Sequence, residues 1–436
     1  IQEHFFGLDF RSFHLTTHVF KILATLSSYP VFLAISGSGL IAFVATILFA
    51  FSYSAVGTMY TVVTSNDYLA IFLMNIFLTI YFYIVKKNTG NWFYLLGILI
   101  LLIFALFWST ERIYPLPIFV VLFELFMFWT KKKLEKNSLK RIFVLISPLI
   151  VIFVIKPTIF LSFVLDHGIE IVRRVSLGNW NLTLTPFIAL GSIVVPHNYA
   201  RFFGIIKMDS LLSFLEFLLF GPIFIFTILT LILGIFFFKR PLKFILHILL
   251  LTFIFSIILY ILASHFLDHL ISQVSIVQAL VGFYILAIAI VSFNYWRKEK
   301  ERMLLGLFVG PFLAFLYIFL TWIGAATSEV FAGVHRYLTI PALFISLFLA
   351  TLFGIIFLKF WKLPPNIKYL KILSVVPLLL LLFFININVA EIQYFFKYQL
   401  NSGFGSSEKI MMRSQLLSYL NNLSVDKPSL IYFDFT

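Results

Sequence analysis

Runs of about twenty apolar residues recur along this chain, each long enough to cross a hydrocarbon core of roughly 30 Å. They fall near residues 14–35, 39–52, 67–85, 92–109, 113–129, 142–164, 211–238, 243–266, 272–294, 303–323, 338–358 and 370–389. A secretory leader accounts for one such run, not for a dozen. Composition agrees: 61% of the 436 residues are hydrophobic and 11% are charged, where a soluble domain carries about 25% charged residues. The sequence therefore predicts an all-α polytopic membrane protein with about twelve transmembrane helices. The second run is short, and His14, His18 and Lys21 interrupt the first.

Basic residues orient the spans. Lys86-Lys87, Lys131 to Arg141, Lys239-Arg240 with Lys243, Arg297 to Arg302 and Lys359 to Lys371 fall in alternate connections. They hold nineteen of the 32 Lys and Arg, with only Glu135, Glu299 and Glu301 as acids. Cytoplasmic loops collect positive charge, so these connections are expected inside the cell. The net charge of +14 has the same cause, and no nucleic-acid partner is expected. The remaining connections then face out: 1–12, 53–66, 109–113, 165–210, 267–271, 324–337 and the tail from 390. Both chain ends are expected outside the cytoplasm, with a bacterial inner or plasma membrane as the setting. The domain reading is a transmembrane unit over 1–389 and an extracytoplasmic tail over 390–436. The tail carries a helix over Ser407 to Asn421 and a weakly alternating Ser429 to Phe435, either the start of a further domain or a docked end. Ile1-Gln2-Glu3-His4 and Tyr432 to Thr436 read as interior stretches, so a piece of a longer chain is expected. The absence of cysteine excludes disulfides and thiolate metal sites.

Polar residues in or beside spans carry the functional information, because lipid burial costs them a few kcal/mol or more. Glu111 and Arg112 sit at a short outer turn, where a local ion pair competes with a role in a site. His335-Arg336-Tyr337, with Pro341 beyond, opens a span from the outer side. Arg336 there either snorkels to headgroups or clamps a phosphate. The 165–210 segment holds Asp166, Glu170, Arg173, Arg174, Trp180, Pro196, His197 and Arg201 among apolar stretches. It is expected to lie along the outer interface as amphipathic helix or to dip partly in. Arg173 and Arg174 suit a phosphate, although Glu170 stands at helical spacing from both. Lys156, ahead of Pro157, is expected to reach outward to the interface. His14 and His18 are one turn apart, which suits a metal or packing against a neighbouring helix; no third ligand accompanies them, and no metal site is expected. No Gly-rich phosphate loop, nucleophile elbow or His-Glu-x-x-His pattern occurs, and no cofactor is expected. On the residues alone, both a transferase with a lipid-linked donor and a transporter remain open.

Several segments, in this order, resemble the polytopic GT-C glycosyltransferases, most of all the transmembrane and tetratricopeptide-repeat O-mannosyltransferases and their bacterial relatives. Phe6-Gly7-Leu8-Asp9 through His14 and His18 is similar to that family's Phe-Gly…His…His segment. Asp67 falls on the Asp that closes its second loop. Trp108 to Pro117, followed by Glu124, is similar to its Lys-Glu…Pro segment, with Glu111 on the Glu and Pro117 on the Pro. Arg336-Tyr337-Leu338-Thr339-Ile340-Pro341 is similar to its Arg-Tyr-Leu-Tyr-Leu-Pro. The resemblance covers roughly residues 5–360. The chain departs from the pattern at Ser52-Tyr53, where the family has His-Pro, at Gly57 for its Glu, and at Thr110 for its Lys.

The resemblance implies transfer of a sugar from a polyprenyl- or dolichyl-phosphate donor to an extracytoplasmic protein, lipid or glycan. Its catalytic Asp belongs to a first outer loop, which falls ahead of Ile1; within this chain Asp9, Asp67 and Glu111 are the weak candidates. His14, His18, Glu111, Arg112, Arg173, Arg174, His335, Arg336 and Tyr337 are the expected substrate-binding residues. Alternatives are a ligase or polymerase using polyprenyl carriers, and a transporter or flippase for lipid-linked or anionic substrates. Lipid-linked donor, membrane lipids and acceptor are the expected partners.

Overall fold

The computed structural model describes residues 10–56, 65–87, 92–108, 115–131, 136–155, 167–177, 181–196, 246–251, 253–254, 273–299, 302–325, 338–361 and 374–394. Their elements are α1 (Phe10–Ser36), α2 (Gly39–Ala50), α3 (Tyr53–Val56), α4 (Ser65–Lys87), α5 (Trp92–Trp108), α6 (Pro115–Lys131) and α7 (Lys136–Ile155). They continue as α8 (His167–Ser176), α9 (Asn181–Val194), α10 (Gln273–Glu299), α11 (Arg302–Ala325), α12 (Thr339–Trp361) and α13 (Val375–Tyr394). No strand occurs among the described residues. Six helices are long and apolar enough to span a bilayer: Leu15–Ser36, Asp67–Lys87, Ser275–Arg297, Met303–Trp322, Thr339–Leu358 and Val375–Gln393. The chain is an all-α integral membrane protein.

Ten of the twelve expected runs coincide with described helices. The run at 211–238 lies outside the described residues, as do most of 243–266 and the tail beyond Tyr394. Two compact units divide the chain, Ile1–Val389 and Ala390–Thr436. Of the second, only the end of α13 is described.

The first unit is built inside out relative to a soluble bundle. α1 turns Leu15, Ile22, Leu26 and Leu33 outward while burying Thr17, Ala24, Ser28 and Ser36 beside Val31, Phe32 and Ile35. Lipid welcomes the large apolar side chains, so small and weakly polar ones are left to let helices approach. Asn75 of α4 uses that approach: its Nδ2 donates to the Ala24 carbonyl at 3.0 Å and to Ser27 Oγ at 3.1 Å. α1 ends where Gly37 takes φ 69°, and Ser38 caps α2 by accepting from the Ile41 N–H. The hairpin is pinned by Ser28 Oγ, 3.4 Å from Thr46 Oγ1.

Glycine governs the tightest packing. A Cβ on Gly191 of α9 would stand 1.8 Å from the Gln278 carbonyl oxygen, and one on Gly282 of α10 would stand 2.2 Å from that of Phe187. Gly306 and Gly310 of α11, four residues apart, press likewise on Thr351 and on Phe344 with Phe348 of α12. These contacts also fix directions. Gly191 meets Gln278 while Phe187 meets Gly282, so α9 runs antiparallel to α10 with Val195 beside the start of α10. α9 is buried along that helix through Leu182, Leu184, Leu190 and Ile193. It therefore dips into the protein instead of lying along its surface.

Candidate functional site

Among the described residues of the first unit, a polar cluster ties helices together at each of its two ends. The first joins α4, α6 and α7 at the end that carries Lys86, Lys87 and Lys140. Arg141 donates from Nε to Glu124 Oε1 at 2.6 Å and from Nη2 to Glu124 Oε2 at 3.2 Å. Tyr81 donates its hydroxyl to Glu124 Oε1 at 3.1 Å, and Arg141 Nη2 also reaches Ser138 Oγ at 3.0 Å. Both ends of the pair are buried, with side chains 4% and 1% exposed. Arg141 Nη1 is buried without a partner among the described residues. Two rigid parallel bonds between charged groups make the strongest kind of polar link. With both oxygens of Glu124 already accepting, the cluster is built as a clamp on three helices. Phe123, packed edge-on to Tyr81 and Phe82, seals it on the apolar side.

The second cluster lies at the opposite end. Thr339, first residue of α12, donates from Oγ1 to the Ser54 carbonyl at 3.2 Å. The Tyr53 N–H donates to Asn388 Oδ1 of α13 at 2.9 Å, and Asn388 Nδ2 donates to the Phe384 carbonyl at 2.9 Å. Ser52, Ser54, Thr339 and Asn388 are all buried.

Asp67, at the head of α4 and fully buried, shares this end. The depth follows from Tyr317 of α11, which donates to Met74 Sδ at 3.2 Å and packs on Phe344. One step further along both helices, Tyr81 connects through Phe123 and Phe119 to Phe312, and the adjacent Phe308 and Gly310 region lies on Phe348. α4 and α12 therefore run in the same direction, and Asp67 and Thr339 begin them at the same end.

The remaining expected site residues divide plainly. Arg173 donates to Glu170 from Nε at 2.8 Å and from Nη2 at 2.9 Å, and Arg174 donates from Nε at 2.8 Å. Both guanidiniums are thus engaged within α8. His18 is exposed on α1, one turn past the position of His14. Asp9, Glu111, Arg112, His335, Arg336 and Tyr337 lie outside the described residues. The Glu124–Arg141 clamp was missed in the sequence, where Glu124 was a passing member of a motif and Arg141 one of a basic run. The available signal was a carboxylate within an apolar run with a basic residue opening the next.

Hydrogen bonds from Arg173, then Arg174, hold the Glu170 carboxyl at about 2, below its ordinary 4.5. A carboxyl with a lowered value stabilises α8 fully above pH 4.5 and progressively less as pH falls toward 2. A nitroxide at Ser176 should therefore gain mobility as pH falls through that window, and Glu170→Gln should remove the pH dependence. An unchanged pH response in that variant would reject the assignment. No protein-family model, curated protein or solved structure matches the chain.

Proposed function

We propose that this protein is a GT-C glycosyltransferase with about twelve crossings and both ends of this chain extracytoplasmic. It moves a sugar from a polyprenyl- or dolichyl-phosphate donor to an acceptor outside the cytoplasm. One observation supports the reading beyond the series of motifs. The Thr339–Ser54 hydrogen bond joins the segment after Arg336-Tyr337 to the segment after Ser52-Tyr53, across 285 positions of sequence. The first belongs to the segment that resembles the family at Arg336 to Pro341, the second to the stretch that resembles it at Asp67 while departing at Ser52-Tyr53, and Asp67 stands at the same end. In this reading the carboxylate that takes the acceptor proton belongs to the family's first outer loop, ahead of Ile1, and these segments supply a guanidinium to hold the leaving phosphate, with Asp67 as a weak candidate for the base. Arg336, with His335 and Tyr337 beside it, is the phosphate contact in this reading, because its planar fork matches two phosphate oxygens. Glu111 and Arg112 order the acceptor side. Arg173 or Arg174 joins that set, each keeping donors beyond its bonds to Glu170.

The test is transfer from a panel of polyprenyl- and dolichyl-phosphate monosaccharides by the full-length protein in liposomes. Arg336→Ala should lower transfer by about 100-fold, the scale of losing one transition-state donor. Arg336→Lys should recover part of it, and membrane insertion should be unchanged. Normal transfer by Arg336→Ala, or donor carried across the bilayer without sugar release, would reject the enzyme reading.

A further inference from the structure

The tyrosines of this protein fall into two groups. Tyr68, Tyr81, Tyr284 and Tyr317 are enclosed in the core, whereas Tyr83 and Tyr94 each leave 42% of their surface outside the protein. Those two belong to α4 and α5, which pack against each other, and their ring centroids stand 6.3 Å apart with the planes inclined at 60°. Lys87, one turn past Tyr83, places its Nζ 4.7 Å from the centroid of the Tyr83 ring. Lys86 and Lys87 are themselves exposed.

The depth of this group is fixed by the span that carries it. Asp67 to Lys87 is 21 residues, about 31 Å of helix, which matches the thickness of a hydrocarbon core. Lys87 closes the span and so stands at the headgroup boundary, with Tyr83 about 6 Å inside it. Contact with Tyr83 holds Tyr94 at the same level. The placement is the same whichever face of the membrane this end occupies.

Charge here is one-sided. Glu124 is the carboxylate that lies among α4, α6 and α7, and Arg141 neutralises it. Lys86, Lys87 and Lys140 have no acidic partner among the described residues. The Tyr83 ring steadies the Lys87 ammonium without cancelling its charge. An ammonium has three donors, and the two tyrosine hydroxyls add one each at the same level.

We propose that Lys87, Tyr83 and Tyr94 form a site for the phosphate of an anionic phospholipid headgroup. The ammonium donates to the phosphate oxygens, and the exposed rings lie where headgroups give way to acyl chains. A zwitterionic lipid would bring a cation of its own to a surface with uncompensated ones, so a headgroup of net negative charge is favoured. This inference concerns the opposite end of the bundle from the proposed transferase site and does not depend on that activity.

Because the chain has no cysteine, a single cysteine reports cleanly. Gly97 lies one turn beyond Tyr94, and a Cβ there meets nothing within 4 Å, so Gly97→Cys accepts a bimane without disturbing the packing. In bilayers of one part phosphatidylglycerol to four parts phosphatidylcholine, the bimane should be quenched by brominated lipid. At equal amounts of brominated lipid, bromine on the phosphatidylglycerol should quench about fivefold more than bromine on the phosphatidylcholine, the effect of one basic residue near the surface. Lys87→Gln should remove most of that preference and Lys87→Arg should keep it. Tyr83→Leu should lower it, because the ring that holds the ammonium is gone, and Lys140→Gln should leave it unchanged. Equal quenching by the two lipids in the parent would overturn the headgroup contact, and absence of quenching by either would show protein rather than lipid on this face. A loss in Lys140→Gln as large as in Lys87→Gln would show a diffuse field in place of a site. A preference untouched by Tyr83→Leu would overturn the part given to the ring.

Discussion

Arg141→Met should destabilise the folded protein by about 3–5 kcal/mol, because it leaves Glu124 buried with its charge uncompensated. The loss exceeds that of the methionine's packing, since Tyr81 alone then faces the carboxylate. Glu124→Met should cost a similar amount for the converse reason, with the guanidinium abandoned among Ser138 and apolar neighbours. Combining the two should recover most of the loss, because apolar pairs often replace buried ion pairs at little net cost. Reversible unfolding in bicelles, followed as a double-mutant cycle, measures both the single losses and their coupling. Single variants within about 1 kcal/mol of the parent, the range of an exposed pair, would show that water reaches the clamp.

Gly191→Ala should cost about 3 kcal/mol, at the upper end of overpacking losses, and Gly282→Ala about the same. In each case the new methyl would overlap a backbone carbonyl, which has no rotamer to move away: 1.8 Å at Gln278 and 2.2 Å at Phe187. Relief requires α9 and α10 to part, which also breaks the bond from Gln278 Nε2 to the Val195 carbonyl at 3.0 Å. Gly97 of α5 supplies the control. A Cβ there meets nothing within 4 Å, so Gly97→Ala should be neutral or stabilising by up to about 1 kcal/mol. Thermal unfolding of the three variants in the same detergent ranks them. Gly191→Ala melting with Gly97→Ala would show that the two helices are not held at this distance.

Element existence was legible in the sequence because a bilayer demands unbroken apolar length, and length survives without knowing any partner. α1, α4, α10, α11, α12 and α13 could be read this way. The same criterion was silent at α9. Its fourteen residues are too few for a span, and the segment's mixed charges left both an interfacial course and a partial dip open; it is the dip that is found, with α9 buried along α10. Glycine at 191 and 282 was visible, but nothing in one sequence says that each lies against a backbone carbonyl of the other's helix. The site was less legible than the fold. Glu170 with Arg173 and Arg174 followed from helical spacing alone, because both partners share one helix. Glu124 with Arg141 did not, since each had a sufficient local explanation and the pairing depends on the crossing of two helices. Asp67 was noticed for its place in a motif, whereas its complete burial is a tertiary fact.

The brevity of α2 has a mechanical consequence. Twelve residues make about 18 Å of helix, some 12 Å less than a typical hydrocarbon core. A lone helix of that length would make the lipid thin around it or leave its last peptide groups without partners. Here the chain breaks after Ala50, and protein takes up the exposed valences: Asn388 receives the Tyr53 N–H and Thr339 donates to the Ser54 carbonyl. The strain of a thicker or thinner membrane therefore falls elsewhere, on the outward flanks of α1 and α13, where Leu15, Leu26, Leu379 and Phe383 are exposed. Acyl-chain length should reach those two helices first, leaving the end of the bundle that holds Ser54 and Thr339 with the same geometry from one membrane to another.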